Sequence, residues 1–224
     1  MLESSEMRCG IFIAGTDFAA GKTLIGCALA FAAHARGMRV GVMKPVATGC
    51  RETNGVLECD EVRGLAYAAA CDVPIELMCP YRYASVDELP AAAPDFAVIA
   101  DAYQKIASRS DFVIIEGYGA IASPIASAPR VKDSVDLARM LNLDVLIVTA
   151  NGAGCVSASR LAIEHAQNRG LAVAGLLLND VVAAFEESRE ELLRRVTEVP
   201  ILGRVRHKQP VPRTIIDPIL NYFA

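Results

Sequence analysis

The sequence has no tryptophan, and aromatic residues make up only 6% of its 224 positions. Aliphatic side chains must therefore supply most of any core, and hydrophobic residues, at 53% of the chain, are numerous enough to do so. This composition excludes a disordered protein, and the length suits one large domain better than two small ones. We expect a single domain over residues 1–224.

Long hydrophobic runs and an excess of basic residues are also missing. No stretch of about 18 or more apolar residues occurs, so we predict no membrane span. The formal net charge is -4 and the pI is about 5.5, which argues against non-specific binding to nucleic acid. Residues 1–6 are acidic and lack the features of a signal peptide, so we predict a cytoplasmic protein.

The sequence also lacks a cluster of metal-binding cysteine or histidine residues. The seven cysteines are scattered without a C-x-x-C pair, and the three histidines lie far from any cysteine cluster. We interpret the cysteines as reduced thiols that serve as small apolar side chains, and we predict no zinc site.

Short apolar runs alternate with helical stretches along the chain. Strands are predicted at residues 10–14, 39–44, 112–116, 145–149, 173–178 and 201–205. Helices are predicted at residues 22–36, 60–70, 96–107 and 156–169, after the candidate N-cap Asp133, and around an apolar face of Phe185, Leu192, Leu193 and Val196. The first helix is apolar almost all round, so we expect it to be largely buried.

This alternation predicts an α/β fold, with a mostly parallel β-sheet covered by helices on both faces. Ligands of such sheets bind at the carboxyl ends of the strands. The polar and charged residues of this chain that could bind a ligand are found directly after the predicted strands.

The first strand is followed by GTDFAAGKT, residues 15–23, and then by a helix. A strand, a glycine-bearing loop, Gly-Lys-Thr and a helix form the P-loop arrangement, in which backbone N–H groups converge on phosphate oxygens. Five residues separate the two glycines, where the usual motif has four. The predicted nucleotide-binding residues of this segment are Thr16, Asp17, Ala19, Ala20, Gly21, Lys22, Thr23 and Leu24.

Polar residues also follow the other strands. Lys44 ends the second strand, Glu116 and Gly117 follow the third, and Asn179 and Asp180 follow the fifth. A lysine at a strand end can face phosphate, a carboxylate there can hold Mg²⁺, and an asparagine amide can pair with an adenine edge. Each residue also has an ordinary explanation, namely a solvated lysine or a turn-forming pair.

Asp60 is a further candidate ligand of magnesium, because it begins the second predicted helix. A simple N-cap or first-turn acid explains it equally well.

Taken together, these segments resemble the dethiobiotin synthetase family of the P-loop NTPases. The matching pieces are GTDxxxGKT at residues 15–23, KPVATG at 44–49, Asp60, EG at 116–117, GC at 154–155 and ND at 179–180. They occur in the family's order over roughly residues 10–205.

The resemblance implies an enzyme of biotin biosynthesis that closes the ureido ring of 7,8-diaminononanoate with CO₂ and ATP. Lys22 and Lys44 would be catalytic, while Thr23, Asp60 and Glu116 would hold Mg²⁺. The carboxylate Glu116, with Gly117, Asn179 and Asp180, would also belong to the nucleotide site. The family further implies a homodimer, with the substrate contacting Thr48 and, from the partner subunit, Gly154 and Cys155.

Several residues depart from the family pattern, most of them on the substrate side. They are Phe18 and Ala19 in the loop, Tyr118 after the acid, and Ser157 and Ala158 after Cys155. These departures leave open a related P-loop domain that binds nucleotide for regulation without making dethiobiotin. A partitioning ATPase is a second alternative, but residues 16–20 lack the additional lysine usual in such proteins.

Overall fold

The computed structural model describes residues 10–89, 93–127, 129–182 and 188–222. The strands are β1 Gly10–Gly15, β2 Val40–Met43, β3 Val46–Ala47, β4 Arg51–Thr53, β5 Val56–Glu58, β6 Tyr81–Arg82, β7 Phe112–Glu116, β8 Asp144–Ala150, β9 Val173–Asn179 and β10 Ile201–Val205. The helices are α1 Lys22–Ala35, α2 Asp60–Ala69, α3 Ile75–Met78, α4 Phe96–Ala107, α5 Ser134–Met140, α6 Cys155–Gln167, α7 Ser188–Val196 and α8 Arg213–Tyr222.

Six strands form one parallel sheet in the order β10-β9-β8-β1-β7-β2. Side chains of β1 alternate between the two faces of this sheet. Phe12 joins an apolar cluster with α4, α5 and α6, whereas Ile11 and Ile13 join a second cluster with α1, α2 and α8. The predicted fold class, a mostly parallel sheet with helices on both faces, is therefore confirmed.

The local signals that were used to place helices also hold. Asp133 caps α5 through a capping box, in which its carboxylate accepts from the backbone of Val135 and Asp136. On α7, two i,i+4 ion pairs form, Glu190–Arg194 and Glu191–Arg195.

The prediction that α1 is largely buried was wrong for the outer face of this helix. The outer face of α1 is open, because Leu24 and Phe31 are 45% and 67% exposed. On α7, Leu193 is buried, but Leu192 and Val196 are partly exposed, since the helix touches the body along a narrower face than the sequence suggests. Phe185 lies outside the described residues.

Five short elements and one longer one in the described residues were not predicted. The missed short ones are α3, the two-stranded sheet of β3 and β6, and the hairpin of β4 and β5 around Asn54 and Gly55. The missed longer one is α8, whose buried Ile215, Ile216 and Ile219 follow helical spacing and gave a usable signal. None of the helices in the described ranges is long and apolar enough to cross a membrane.

The same substitution should have different effects on stability in the buried core and on the exposed face of α1. Phe12→Ala should lower the free energy of unfolding by about 3–5 kcal/mol, because the ring is fully buried and its loss leaves a cavity. Phe31→Ala is the matched control and should cost less than about 1 kcal/mol, since Phe31 is mostly exposed. Urea unfolding followed by circular dichroism measures both, and equal losses would contradict this description of the core.

Candidate active site

The loop between β1 and α1 is held by the backbone geometry of Gly21 and by a hydrogen bond to the end of β9. Gly21 caps α1 with φ of 98°, a backbone region that favours glycine. A Cβ at Gly21 would lie 2.1 Å from Asn179 Nδ2, so the position is also sterically closed to other residues. Asn179 Nδ2 donates to the carbonyl of Ala20 at 2.9 Å, which ties the loop to the end of β9.

The start of the loop is anchored to β8. The backbone N–H of Thr16 donates to the carbonyl of Val148 at 3.0 Å, and Thr16 Oγ1 donates to Thr149 Oγ1 at 3.0 Å. Asp17 Oδ1 accepts from the backbone N–H of Phe18, so this carboxylate shapes the turn. Ala19 and Leu24 are exposed, whereas Ala20 is buried.

Lys22 folds back over its own loop. Its ammonium donates to the carbonyls of Asp17 at 3.0 Å and Phe18 at 3.1 Å, and the residue is only 4% exposed. Burial lowers the pKa of Lys22, and the charge of Lys44 adds to this effect, while Glu116 opposes it. A phosphate group would replace the two carbonyls as the partner of this ammonium.

Glu116 is the centre of a buried polar cluster at the end of β7. Its Oε1 accepts from Thr23 Oγ1 at 3.0 Å and from Lys44 Nζ at 2.7 Å. Within the described parts of the chain, its other oxygen, Oε2, is buried without a hydrogen-bond partner. An unpaired carboxylate oxygen beside a threonine hydroxyl is the hard-oxygen setting that Mg²⁺ prefers.

Lys44 lies between two carboxylates, those of Glu116 and Glu61. Burial acts to lower the pKa of Lys44, but the charges of both acids outweigh it, so the pKa is raised above its ordinary value. Glu61 was not among the residues predicted from the sequence. Its position directly after Asp60, in the first turn of α2, was the available signal.

Asp60 stands apart from this cluster. Its carboxylate is 70% exposed and accepts from Arg51 Nη2 at 2.7 Å, and Cys59, not Asp60, is the N-cap of α2. Within the described residues, no group of three His, Cys, Asp or Glu side chains is arranged to hold a metal ion. The structure thus brings together Thr23, Lys44 and Glu116 of the predicted site, and it places Asp60 at the surface.

Asn179 and Asp180 are both buried at the end of β9. The Asp180 carboxylate accepts from Arg204 Nε at 2.9 Å and from Asn151 Nδ2 at 2.7 Å, so it joins the ends of three neighbouring strands. Asn151 and Arg204 were not predicted, because nothing in their local sequence marks them. Asp180 in this structure supports the strand ends that carry the site.

The predicted substrate residues occupy three loops. Thr48 is half-buried beyond β3, and Gly154 caps α6 with φ of 81°. Cys155 begins α6 and is buried, with its Sγ 4.0 Å from Asn151 Oδ1. The positive end of the α6 dipole therefore lies at residues 154–155, as an anion site requires.

Two of the departures from the family pattern contact each other. Phe18 and Tyr118 form an edge-to-face pair with ring centroids 5.2 Å apart. Tyr118 is buried, while Phe18 is 54% exposed at the tip of the loop. Next to Tyr118, the backbone N–H of Gly117 donates to the carbonyl of Ile13 at 2.9 Å, which extends the pairing of β7 with β1. Ser157 is exposed on the first turn of α6.

Comparison with known proteins places this geometry in a family. A family model described as an AAA domain matches residues 9–213. The chain is 34% identical over 204 residues to the ATP-dependent dethiobiotin synthetase BioD of Aromatoleum aromaticum, covering 88% of this chain and 89% of that protein. It is 33% identical over 213 residues to the enzyme of the same name from Anaeromyxobacter sp. (strain K), covering 90% and 87%.

Solved structures share the fold at much lower sequence identity. A ParA family ATPase from Chlorobium tepidum superposes with a TM-score of 0.58 at 14% identity, over 95% of this chain and 99% of that chain. The GDP complex of the signal recognition particle receptor FtsY from Elizabethkingia anophelis gives 0.58 at 16% identity, over 97% and 65%. These likenesses show the P-loop NTPase fold alone.

The structure has a P-loop between β1 and α1, and it has a lysine and an acid at the ends of β2 and β7. The sequence is more than 30% identical to two relatives over most of their length. The chain belongs to the dethiobiotin synthetase family of ATP-dependent ligases.

Proposed function

We propose that the chain converts 7,8-diaminononanoate, CO₂ and ATP into dethiobiotin, ADP and phosphate. The observation that carries this proposal is the cluster of Lys22, Thr23, Lys44 and Glu116 at the phosphate loop. Two lysines at one phosphate site suit a reaction in which phosphoryl is transferred to a second anion, because each anion then has its own positive partner.

The reaction has three steps in this proposal. One substrate amine adds to CO₂ and loses a proton, which gives a carbamate. A carbamate oxygen then attacks the γ-phosphorus and ADP leaves, forming a carbamic-phosphoric anhydride. The second amine attacks the carbonyl carbon of the anhydride, phosphate departs, and the ureido ring closes. Lys22 stabilises charge on the transferring phosphoryl group, while Lys44 stabilises the carbamate and its phosphorylated form.

Thr23 and Glu116 fit a magnesium ion, since Glu116 has a buried oxygen to spare beside the threonine hydroxyl. Asp60 would complete the set if its carboxylate turned from Arg51 towards the loop. When bound, Mg²⁺ neutralises charge on the phosphate oxygens. The protein's share is to present these oxygens at the end of β7 and the start of α1.

The remaining predicted contacts surround this centre. The backbone of residues 16–24 would bind the phosphates, and Asn179, beside Gly21, would contact adenine through its carboxamide oxygen while its NH₂ holds the loop. Thr48 would contact the diamine. In a homodimer, the backbone N–H groups of Gly154 and Cys155, at the N-terminus of α6, would bind the carboxylate of a substrate molecule held mainly by the partner subunit.

A nucleotide-binding domain with a regulatory role is the second candidate. The aromatic pair of Phe18 and Tyr118 favours it, because it occupies positions where the family usually carries polar or small residues.

One assay separates these candidates. Purified protein should form dethiobiotin from the diamine, bicarbonate and Mg-ATP, detected by mass spectrometry, with one phosphate released for each product. Lys22→Ala is the control, and it should show no turnover, because it removes the charge that faces the phosphates. ATP binding without any product would favour the regulatory domain.

Lys44→Gln separates catalysis from binding. The Lys44 charge acts mainly on the carbamate and the transition state, so turnover should fall by roughly 10²-fold or more. Affinity for ATP should stay within a few-fold of the wild type. Calorimetry of ATP binding, beside diamine-dependent phosphate release, measures the two effects. Equal turnover in mutant and wild type would remove Lys44 from the catalytic residues.

The two candidate magnesium ligands predict different results. Glu116→Gln should cut turnover strongly, because it removes an anionic oxygen and the more deeply buried of the two carboxylates that hold Lys44. Asp60→Asn should raise the magnesium concentration for half-maximal rate if Asp60 binds the ion, and it should be nearly silent if Asp60 is only an exposed acid in the first turn of α2. Magnesium titration of the initial rate decides between these roles.

A further inference from the structure

The two carboxylates beside Lys44 differ in how firmly they are held. Glu116 is 1% exposed and also accepts from Thr23, whereas the side chain of Glu61 is 50% exposed. Turning Glu116 away from Lys44 would strand a buried charge, which is costly. Turning Glu61 away releases a half-hydrated carboxylate into water, which costs much less.

The surroundings of Glu61 leave it free to turn. It lies in the first turn of α2, and its other hydrogen-bond contact among the described residues is Cys59 Sγ, 3.9 Å from Oε2. Neighbouring acids have partners of their own, because Glu58 pairs with Arg63 and Asp60 pairs with Arg51. The contact between Glu61 and Lys44 is therefore the one that an incoming anion can replace most cheaply.

We propose that Glu61 is a placeholder for the carbamate. Its carboxylate occupies the solvent-facing side of Lys44 until the substrate carbamate, which is also a planar carboxylate, displaces it. Glu61 thereby makes phosphoryl transfer depend on the presence of the carbamate. The identity of the displacing anion rests on the proposed function, and the exchange itself rests on the contacts of Lys44.

The side reaction that Glu61 would suppress is the hydrolysis of ATP by water. In that side reaction water attacks the γ-phosphorus, ADP leaves, and phosphate and a proton are released without product. While Glu61 and Glu116 both hold Lys44, its charge is neutralised and adds little to the stabilisation of the transferring phosphoryl group. Without the charge of Glu61, Lys44 can stabilise that group even when no carbamate is bound.

The test is Glu61→Gln, which keeps the shape of the side chain and removes its charge. Phosphate release from Mg-ATP alone should rise about 5- to 10-fold, below the full effect of a positioned donor. The diamine concentration for half-maximal rate should fall a few-fold, because the internal competitor is gone. Glu58→Gln, on the neighbouring strand β5, is the matched control and should leave both quantities unchanged.

A double variant shows whether the effect passes through Lys44. In the Lys44→Gln background, Glu61→Gln should no longer raise hydrolysis. No rise in the single variant, or a rise that persists without Lys44, would overturn the proposal. A wild type that makes no dethiobiotin would overturn the proposed function instead, while the hydrolysis comparison, which uses ATP alone, would still test Glu61.

Discussion

The site depends on a buried carboxylate, that of Glu116, at the end of β7. A charge this deeply buried is stable only with partners, and Thr23 and Lys44 supply them on one oxygen. That requirement fixes the start of α1 and the end of β2 relative to β7. Among the residues that the structure describes, the second oxygen has no hydrogen-bond partner, at a cost of roughly 1–3 kcal/mol for a buried acceptor.

A second polar network supports the opposite side of the loop. Asp180 links Asn151 and Arg204 across β8, β9 and β10, and the adjacent Asn179 holds the carbonyl of Ala20. Buried polar groups that satisfy one another in this way rigidify the elements they join. The phosphate loop is therefore held between two networks, one built around Glu116 and one around Asp180.

Positive charge in the site is restrained by the protein's own groups. Lys22 rests on two carbonyls of its loop, and Lys44 rests on Glu61 and Glu116. In the proposed reaction, both lysines would exchange these partners for anions of the reactants.

The sequence by itself determined the fold class, the phosphate loop and the strand-end positions of Lys44 and Glu116, because periodicity and the P-loop motif are local in the chain. It did not show that Glu61 contacts Lys44 or that Asp60 points to solvent. It also gave no local signal for Asn151 or Arg204. These facts depend on contacts between residues far apart in sequence, such as Lys44 with Glu116 and Asp180 with Asn151. Tertiary packing also decided which face of α1 is exposed to solvent. A helix that is hydrophobic on all sides carries no sequence signal for the face that other elements leave uncovered.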